Sequence, residues 1–498
     1  MPGPAFDSFL SRYRDLQALE SAMGLMGWDR QVLMPPGGAA ARSAQSTILS
    51  RMHHELMTSD ETRRLLENAE KEVGADTDEA RMLSEFRREL DNESKLPTEL
   101  VMRRSKVGND AYEVWKRARA ASDFPAMRPY FEQLFEIARE MSHHLDPDAA
   151  HPYDPLFNLY EQGAKIGDAE KMFTAIKEPI VNLVKEIKDR GREVPDDFLY
   201  GKWDQEMLRG VAQEITKKIG FDYDRGRLDI ATSAFCGGSG RGDIRMTTKP
   251  SEHIKGILSS SFHEMGHGLY EQGSPEKWER TPLSGGISLA IHESQSRMWE
   301  NIIGRSRVFW TYFLPTLQKA VPSLEGIDLN TFCRAMNKVQ PSFIRVGSDE
   351  LTYNLHILIR FELEVAILTK KLEAKDLPEA WNSKYQEYLG ITPDNDGVGC
   401  LQDVHWTRAS LGYFPTYSMG NLIGAQIWNT ILNDIPARCE LISKGDFSGA
   451  LEWLNEKVYS QAKRYDPKDL VKRVTGEEMN PKYWLEYATG KFSGIYEL

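Results

Sequence analysis

Through residues 1–200, apolar positions recur every three to four residues, the period of a helix with one buried face. "FDSFLSRYRDLQALESAMGLMGW" puts Phe6, Leu10, Tyr13, Leu16, Leu19 and Met23 on one stripe. "SDETRRLLENAEKEV" opens with Ser59 as an N-cap and acids in the first turn, where they complement the helix dipole. "DEARMLSEFRREL" and "RPYFEQLFEIAREMSHHL" continue the pattern. "MPPGG" at 34–38 and "LDPDAAHPYDP" at 145–155 interrupt it with turn residues. The dense charge of 60–95 reads as solvated helix faces with i,i+4 pairs.

The period changes at 227–248, "RLDIATSAFCGGSGRGDIRMTT". "LDIAT" and "DIRMTT" alternate and carry β-branched residues, and a glycine-rich turn joins them, so a small hairpin is expected. From residue 250 the helical pattern returns. Ser251 follows Pro250 as a candidate N-cap, Gly273 is a stop, and Ile254, Leu258, Phe262, Met265 and Leu269 make one stripe. No repeat and no Pro-, Gly- or Ser-rich linker divides residues 1–498. The expectation is one mainly helical domain, two lobes around a cleft with a small β-hairpin lining it.

Composition bounds the partners. Formal charge is −12, which gives no general reason to bind nucleic acid or an anionic membrane. Polar residues Asp7, Arg12, Arg14 and Asp15 come too early for a signal peptide, and no apolar run reaches the roughly 18–20 residues of a membrane span. The cysteines, Cys236, Cys333, Cys400 and Cys439, are scattered without CxxC spacing and are expected to be free thiols. A cytoplasmic protein follows as the expectation.

The chemistry concentrates in "SFHEMGHGLYEQG" at 261–273. Residues four apart share a helix face, so His263 and His267 can present two imidazoles to one metal. Glu264, about 100° further round, is placed to take a proton from a metal-activated water. By chance the pattern would occur ~0.02 times in a chain of this composition. A catalytic metal needs a third protein ligand. "SLAIHESQSRMWEN" at 288–301 offers adjacent Glu293 and His292, only one of which can face the metal. Asp349, His356 and His405 are further rivals, and the spacing leaves the choice open.

Several stretches together resemble one family. "DIRMT" (243–247), "HEMGH" (263–267), "HESQ" (292–295), "IRVGSD" (344–349) and "GCLQDVHW" (399–406) are similar to those of the Taq-type zinc metallocarboxypeptidases, as are "WDRQVLMPPGG" (28–38) and "YATGKFSGIYEL" (487–498). The resemblance implies a helical fold around a deep cleft, similar to angiotensin-converting enzyme and neurolysin, assembled as a homodimer. It implies release of single residues from the free C-terminus of a peptide. It makes Glu293 the third ligand of a Zn2+ that Co2+ can replace. Two stretches depart: Ser233-Ala234-Phe235 stands where the family carries His-Pro-Phe, and Ser348 replaces an alanine of "IRxxAD".

Further roles are expected from side-chain chemistry. An exopeptidase must read a carboxylate, which suits the arginine fork, and Arg345 and Arg245 lie in matching motifs. "DIRMTT" is expected to pair with the substrate backbone as an added strand. His405 and Tyr417, with Tyr413 nearby, are expected to supply an oxyanion donor. Trp28 and Trp299 are expected to pack in the core. An endo-oligopeptidase of the same fold and a non-catalytic peptide-binding protein are the competing functions.

Overall fold

The computed structural model describes residues 3–498. It is mainly helical, with one three-stranded sheet. The first four long helices, Pro4–Val32, Ala39–Met57, Asp60–Glu72 and Asp78–Lys95, follow the sequence pattern. Ser59 caps the third, its hydroxyl accepting from Thr62 N at 3.1 Å. Charged pairs in this region are of two kinds. Arg81–Glu85 is an i,i+4 pair, whereas Arg87–Glu70 ties neighbouring helices together. Phe9, Leu16, Leu66, Phe86 and Leu90 of this group close on one another in a small core of their own, completed by Trp278, Leu283 and Ala462. The larger core runs through the rest of the chain and includes Trp299.

The expected hairpin is a different object. Strands β1 (Gly226–Ile230) and β3 (Ile244–Thr248) pair in parallel, from Gly226 opposite Ile244 to Ile230 opposite Thr248. Parallel neighbours need a crossover between them. The glycine-rich stretch supplies it and forms β2 (Phe235–Gly238), antiparallel to β3, giving the order β1-β3-β2. Short glycine-containing strands carry little propensity of their own, so pairing with β3 decides that "FCGG" is extended.

The helix Ile254–Gln272 carries the His-Glu-His motif. Ile254, Leu258, Phe262, Met265 and Leu269 are all buried, as their spacing requires. Burial of five such side chains contributes on the order of 10 kcal/mol before chain entropy is counted. The N-cap is His253 rather than Ser251: its Nδ1 accepts from Lys255 N at 3.1 Å, while Ser251 Oγ accepts from His253 N. Gly273 ends the helix with φ −78°, so handedness is not what selects glycine there. A Cβ at this position would lie 2.6 Å from Asn455 Oδ1 and from Tyr459 Cβ.

Two other glycines set the frame of the site. The helix Leu289–Arg297 lies between the motif helix and the helix Pro415–Asp434. A Cβ on Gly266 would stand 2.6 Å from Gln295 O and Ser296 Cα. On the other side, a Cβ on Gly420 would stand 2.6 Å from Glu293 Cβ and Cγ. Three backbones therefore approach more closely than any larger residue permits.

Candidate metal centre and pocket

His263 and His267 face Glu293 across that close contact. Glu293 Oε2 lies 3.5 Å from His263 Nε2 and 3.6 Å from His267 Nε2. Tetrahedral ligands at 2.0–2.1 Å from a metal stand about 3.4 Å apart. Two nitrogens and one carboxylate oxygen at this spacing suit a divalent ion, and these three residues are the one such group among the described residues. Its charge also fits: burial pushes the Glu293 carboxyl up, but Arg297, His263 and His267 outweigh it and hold it well below the usual range. Burial pushes the His267 ring down to about 4, leaving a neutral imidazole with a lone pair to give.

The rivals for third ligand are engaged with other groups. Asp349 caps a turn by accepting from Leu351 N and Thr352 N. His356 is fully buried against Tyr385 OH at 3.0 Å. His292 turns its Nδ1 toward His267 Nδ1, 3.3 Å away, and its Nε2 toward Glu271 Oε1 at 2.8 Å.

A residue the sequence reading missed supports His263. Glu300 Oε2 lies 2.9 Å from His263 Nδ1, so that nitrogen donates and Nε2 keeps its lone pair for a metal. Glu300 sits in a π-helical turn, Met298–Ile303, that follows directly on Leu289–Arg297. Arg297 Nε donates to Glu293 Oε1 at 2.6 Å, and Arg305 Nη2 to Glu300 Oε1 at 2.6 Å, so both carboxylates are fixed. An acid in the largely apolar run "RMWENII", where a buried charge needs partners, was the available signal.

These groups open on a pocket of about 540 Å³ whose walls include His263, Glu264, His267, Glu271, Glu293 and Tyr417. Burial pushes the Glu264 carboxyl up to about 7, with His263 opposing it most, so the group exchanges a proton near neutrality. Tyr413 and Thr416 line the pocket beside Tyr417. Burial raises the Tyr417 phenol well above its ordinary value, which keeps it a hydrogen-bond donor. His405 is not among the lining residues: its ring packs behind them, 5.2 Å from that of Tyr413 and 4.7 Å from that of Phe414.

The two arginines are placed differently. Arg345 is buried, its Nε and Nη2 donating to Asp403 Oδ1 and its Nη1 to Tyr353 OH at 3.1 Å. Its guanidinium lies 5.2 Å from the ring of Tyr417, outside the pocket wall. Arg360 shares Asp403, so two cations face one carboxylate here. The structure does not bring Arg245 to the pocket. Ile244 and Met246 approach the motif helix at Gly268, so strand alternation turns Arg245 to the opposite face. There it pairs with Asp243 and lies 4.4 Å from the ring of Trp28, which also receives Arg227 at 4.8 Å. Trp28 is buried as expected, but under two guanidiniums rather than within either apolar core.

Strand β3 cannot take a substrate strand, because both its edges are already paired. The edge strand beside the pocket is β2, with Phe235, Cys236, Gly237 and Gly238 among the lining residues. Ser233, in the departing triplet, donates to Gln31 Oε1 at 3.0 Å and so links this edge to the first helix. The four cysteines form no disulfide. No helix among the described residues is long and apolar enough to cross a membrane.

Comparison with known proteins agrees with this geometry. Residues 8–492 match the model of the family described as carboxypeptidase Taq (M32) metallopeptidase. The chain is 36% identical over 495 residues to carboxypeptidase 1 of Bacillus subtilis, covering 98% of each. It superposes on the M32 carboxypeptidase of Deinococcus radiodurans with a TM-score of 0.97 at 32% identity, over 100% of both chains. A structure of Pyrococcus furiosus carboxypeptidase, described as Apo-Mg, superposes with a TM-score of 0.95 at 35% identity over 99% of each. The chain thus belongs to the Taq (M32) family of metallocarboxypeptidases.

Proposed function

We propose that this carboxypeptidase uses Zn2+, held by His263, His267 and Glu293, to release single residues from the C-terminus of peptides. The observation that carries the reading is the spacing of Glu293 Oε2 from both imidazole nitrogens, close to that of tetrahedral ligands, beside the buried Glu264. A metal held by these three residues would supply Lewis acidity, to polarise the scissile carbonyl and acidify a water. Glu264 is placed to take a proton from water in the pocket and to return it to the leaving amine. Tyr417 donates to the developing oxyanion, and His405 holds the Tyr413–Tyr417 wall from behind. Excess positive charge of Arg345 and Arg360 over Asp403 draws the substrate carboxylate to this end of the pocket. Arg245 holds the first helix through Trp28. Substrate backbone adds to the free edge of β2, which makes recognition tolerant of sequence.

Residues 1–498 act as one catalytic domain of two lobes, working in the cytoplasm as a homodimer; the resemblance to the family supports the dimer. The relatives are carboxypeptidases, which favours this reading over an endo-oligopeptidase or a peptide-binding protein. The test is residue release from a blocked dipeptide by wild type and Glu264→Ala, with metal content measured in both. Release by wild type alone, at equal metal content, is expected. Equal turnover of C-terminally amidated peptides would refute the exopeptidase reading.

A further inference from the structure

His292 and Glu271 line the pocket but have no part in the chemistry above. The surrounding backbone is shaped around them. Gly285 has φ +80° and Ser288 φ +51°, so the segment before the helix Leu289–Arg297 turns through the left-handed region twice. A Cβ on Gly286 would stand 2.6 Å from His292 Nε2 and 2.5 Å from the Tyr270 ring. Gly286 N donates to Glu271 Oε1 at 3.1 Å, the same oxygen that His292 Nε2 approaches at 2.8 Å. Glu271 Oε1 is thus placed to accept from both groups.

Hydrogen-bond direction then propagates along the row. His292 Nε2 lies against Glu271 Oε1, and its other ring nitrogen, Nδ1, is turned toward His267. The two Nδ1 atoms are 3.3 Å apart, so His292 Nδ1 is placed to accept the proton that His267 carries on Nδ1 when its Nε2 binds metal. In that arrangement His267 Nε2, 3.6 Å from Glu293 Oε2, keeps its lone pair.

We propose that Glu271 and His292 are positioning residues that lock His267 in the tautomer that binds metal, just as Glu300 does for His263. This role rests on the metal-site reading above. His292, a rival ligand by sequence, acts one step removed: it sets which nitrogen of the true ligand is free. Partners of this kind are worth about 10–100-fold in metal affinity.

The experiment measures zinc affinity of the full chain by competition with a chromogenic chelator, for wild type, His292→Phe, His292→Asn and Glu271→Ala. Fold is checked by circular dichroism and thermal midpoint. Wild type should bind one zinc per chain. His292→Phe keeps the bulk and loses the acceptor, and its Kd should rise about 10–100-fold. Asn places an oxygen near the site of Nδ1, so His292→Asn should recover at least about tenfold of that loss. Glu271→Ala should weaken binding too, and serves if His292→Phe does not fold. With metal saturating, kcat should fall more than KM changes. Kd values within threefold of wild type in His292→Phe and Glu271→Ala overturn the proposal while leaving the metal site intact. So does a His292→Asn variant as weak as His292→Phe, since the ring would then be filling space. A wild type that takes up no zinc overturns the metal-site reading and this role together.

Discussion

Replacing Gly266 by alanine adds one methyl group to the motif helix, at the place where that helix touches the backbone carrying Glu293. The added Cβ would stand 2.6 Å from Gln295 O and Ser296 Cα. Ordinary contact is about 3.4 Å, so the two helices must separate by roughly 0.8 Å. Metal sites tolerate ligand displacements of about 0.2 Å. The helix bearing Glu293 cannot absorb this by retreating, because Gly420 stands on its other side with equally little room, so the histidines must move away from Glu293. Stability is a poor readout here: overpacking costs about 1–3 kcal/mol, and alanine regains about 1 kcal/mol of helix propensity over glycine. Metal affinity is the sharp one. Gly266→Ala should fold with a modest change in urea midpoint and bind zinc at least about tenfold more weakly, or ~1.4 kcal/mol. A folded variant with zinc affinity within threefold of wild type would refute the account of how the ligands are held.

Other outcomes can be checked independently. Glu264→Gln should keep its metal and lose about 10²–10⁴-fold in kcat, measured by amine release from a blocked dipeptide. Tyr417→Phe should lower kcat by about 10²–10³-fold with little change in KM, and wild-type kcat would remove the phenol from the mechanism. Arg345→Ala should shrink the preference for free over amidated C-termini; an unchanged ratio of kcat/KM values means another group reads the carboxylate. Burial first, and Lys255 next, push the His253 ring down to about 4, and its neutral Nδ1 caps the motif helix. A depressed folded pKa stabilises above the ordinary value of 6.5 and is lost as pH falls toward 4. Denaturation midpoints should therefore drop over that window, and His253→Asn, which caps without titrating, should lessen the drop by about 1 kcal/mol.

What the sequence made legible was local. The spacing of His263, Glu264 and His267 defines a shared face, and the stripe from Ile254 to Leu269 defines the helix that carries it, both without tertiary information. The errors fall where a partner distant along the chain decides. "FCGG" looks like a turn until β3 supplies hydrogen bonds to it. Arg245 lies in a matching motif, yet the direction of its side chain depends on which strand face meets the motif helix. His253 displaces Ser251 as the cap because the chain enters this helix through an antiparallel bridge to Tyr200. Glu300 and the His292–Glu271 row escaped notice because their meaning lies in contacts between separate helices.

The smaller apolar core has one further consequence. Trp278 and Leu283, which help to close it, belong to the loop that joins the motif helix to the helix bearing Glu293. Unfastening the first four helices would expose the underside of that loop and free the spacing between ligands. Occupancy of the metal should therefore protect residues 4–95 from proteases and slow their amide exchange, although none of them touches the ion. Resistance to digestion at the start of the chain becomes a gauge of loading at its centre.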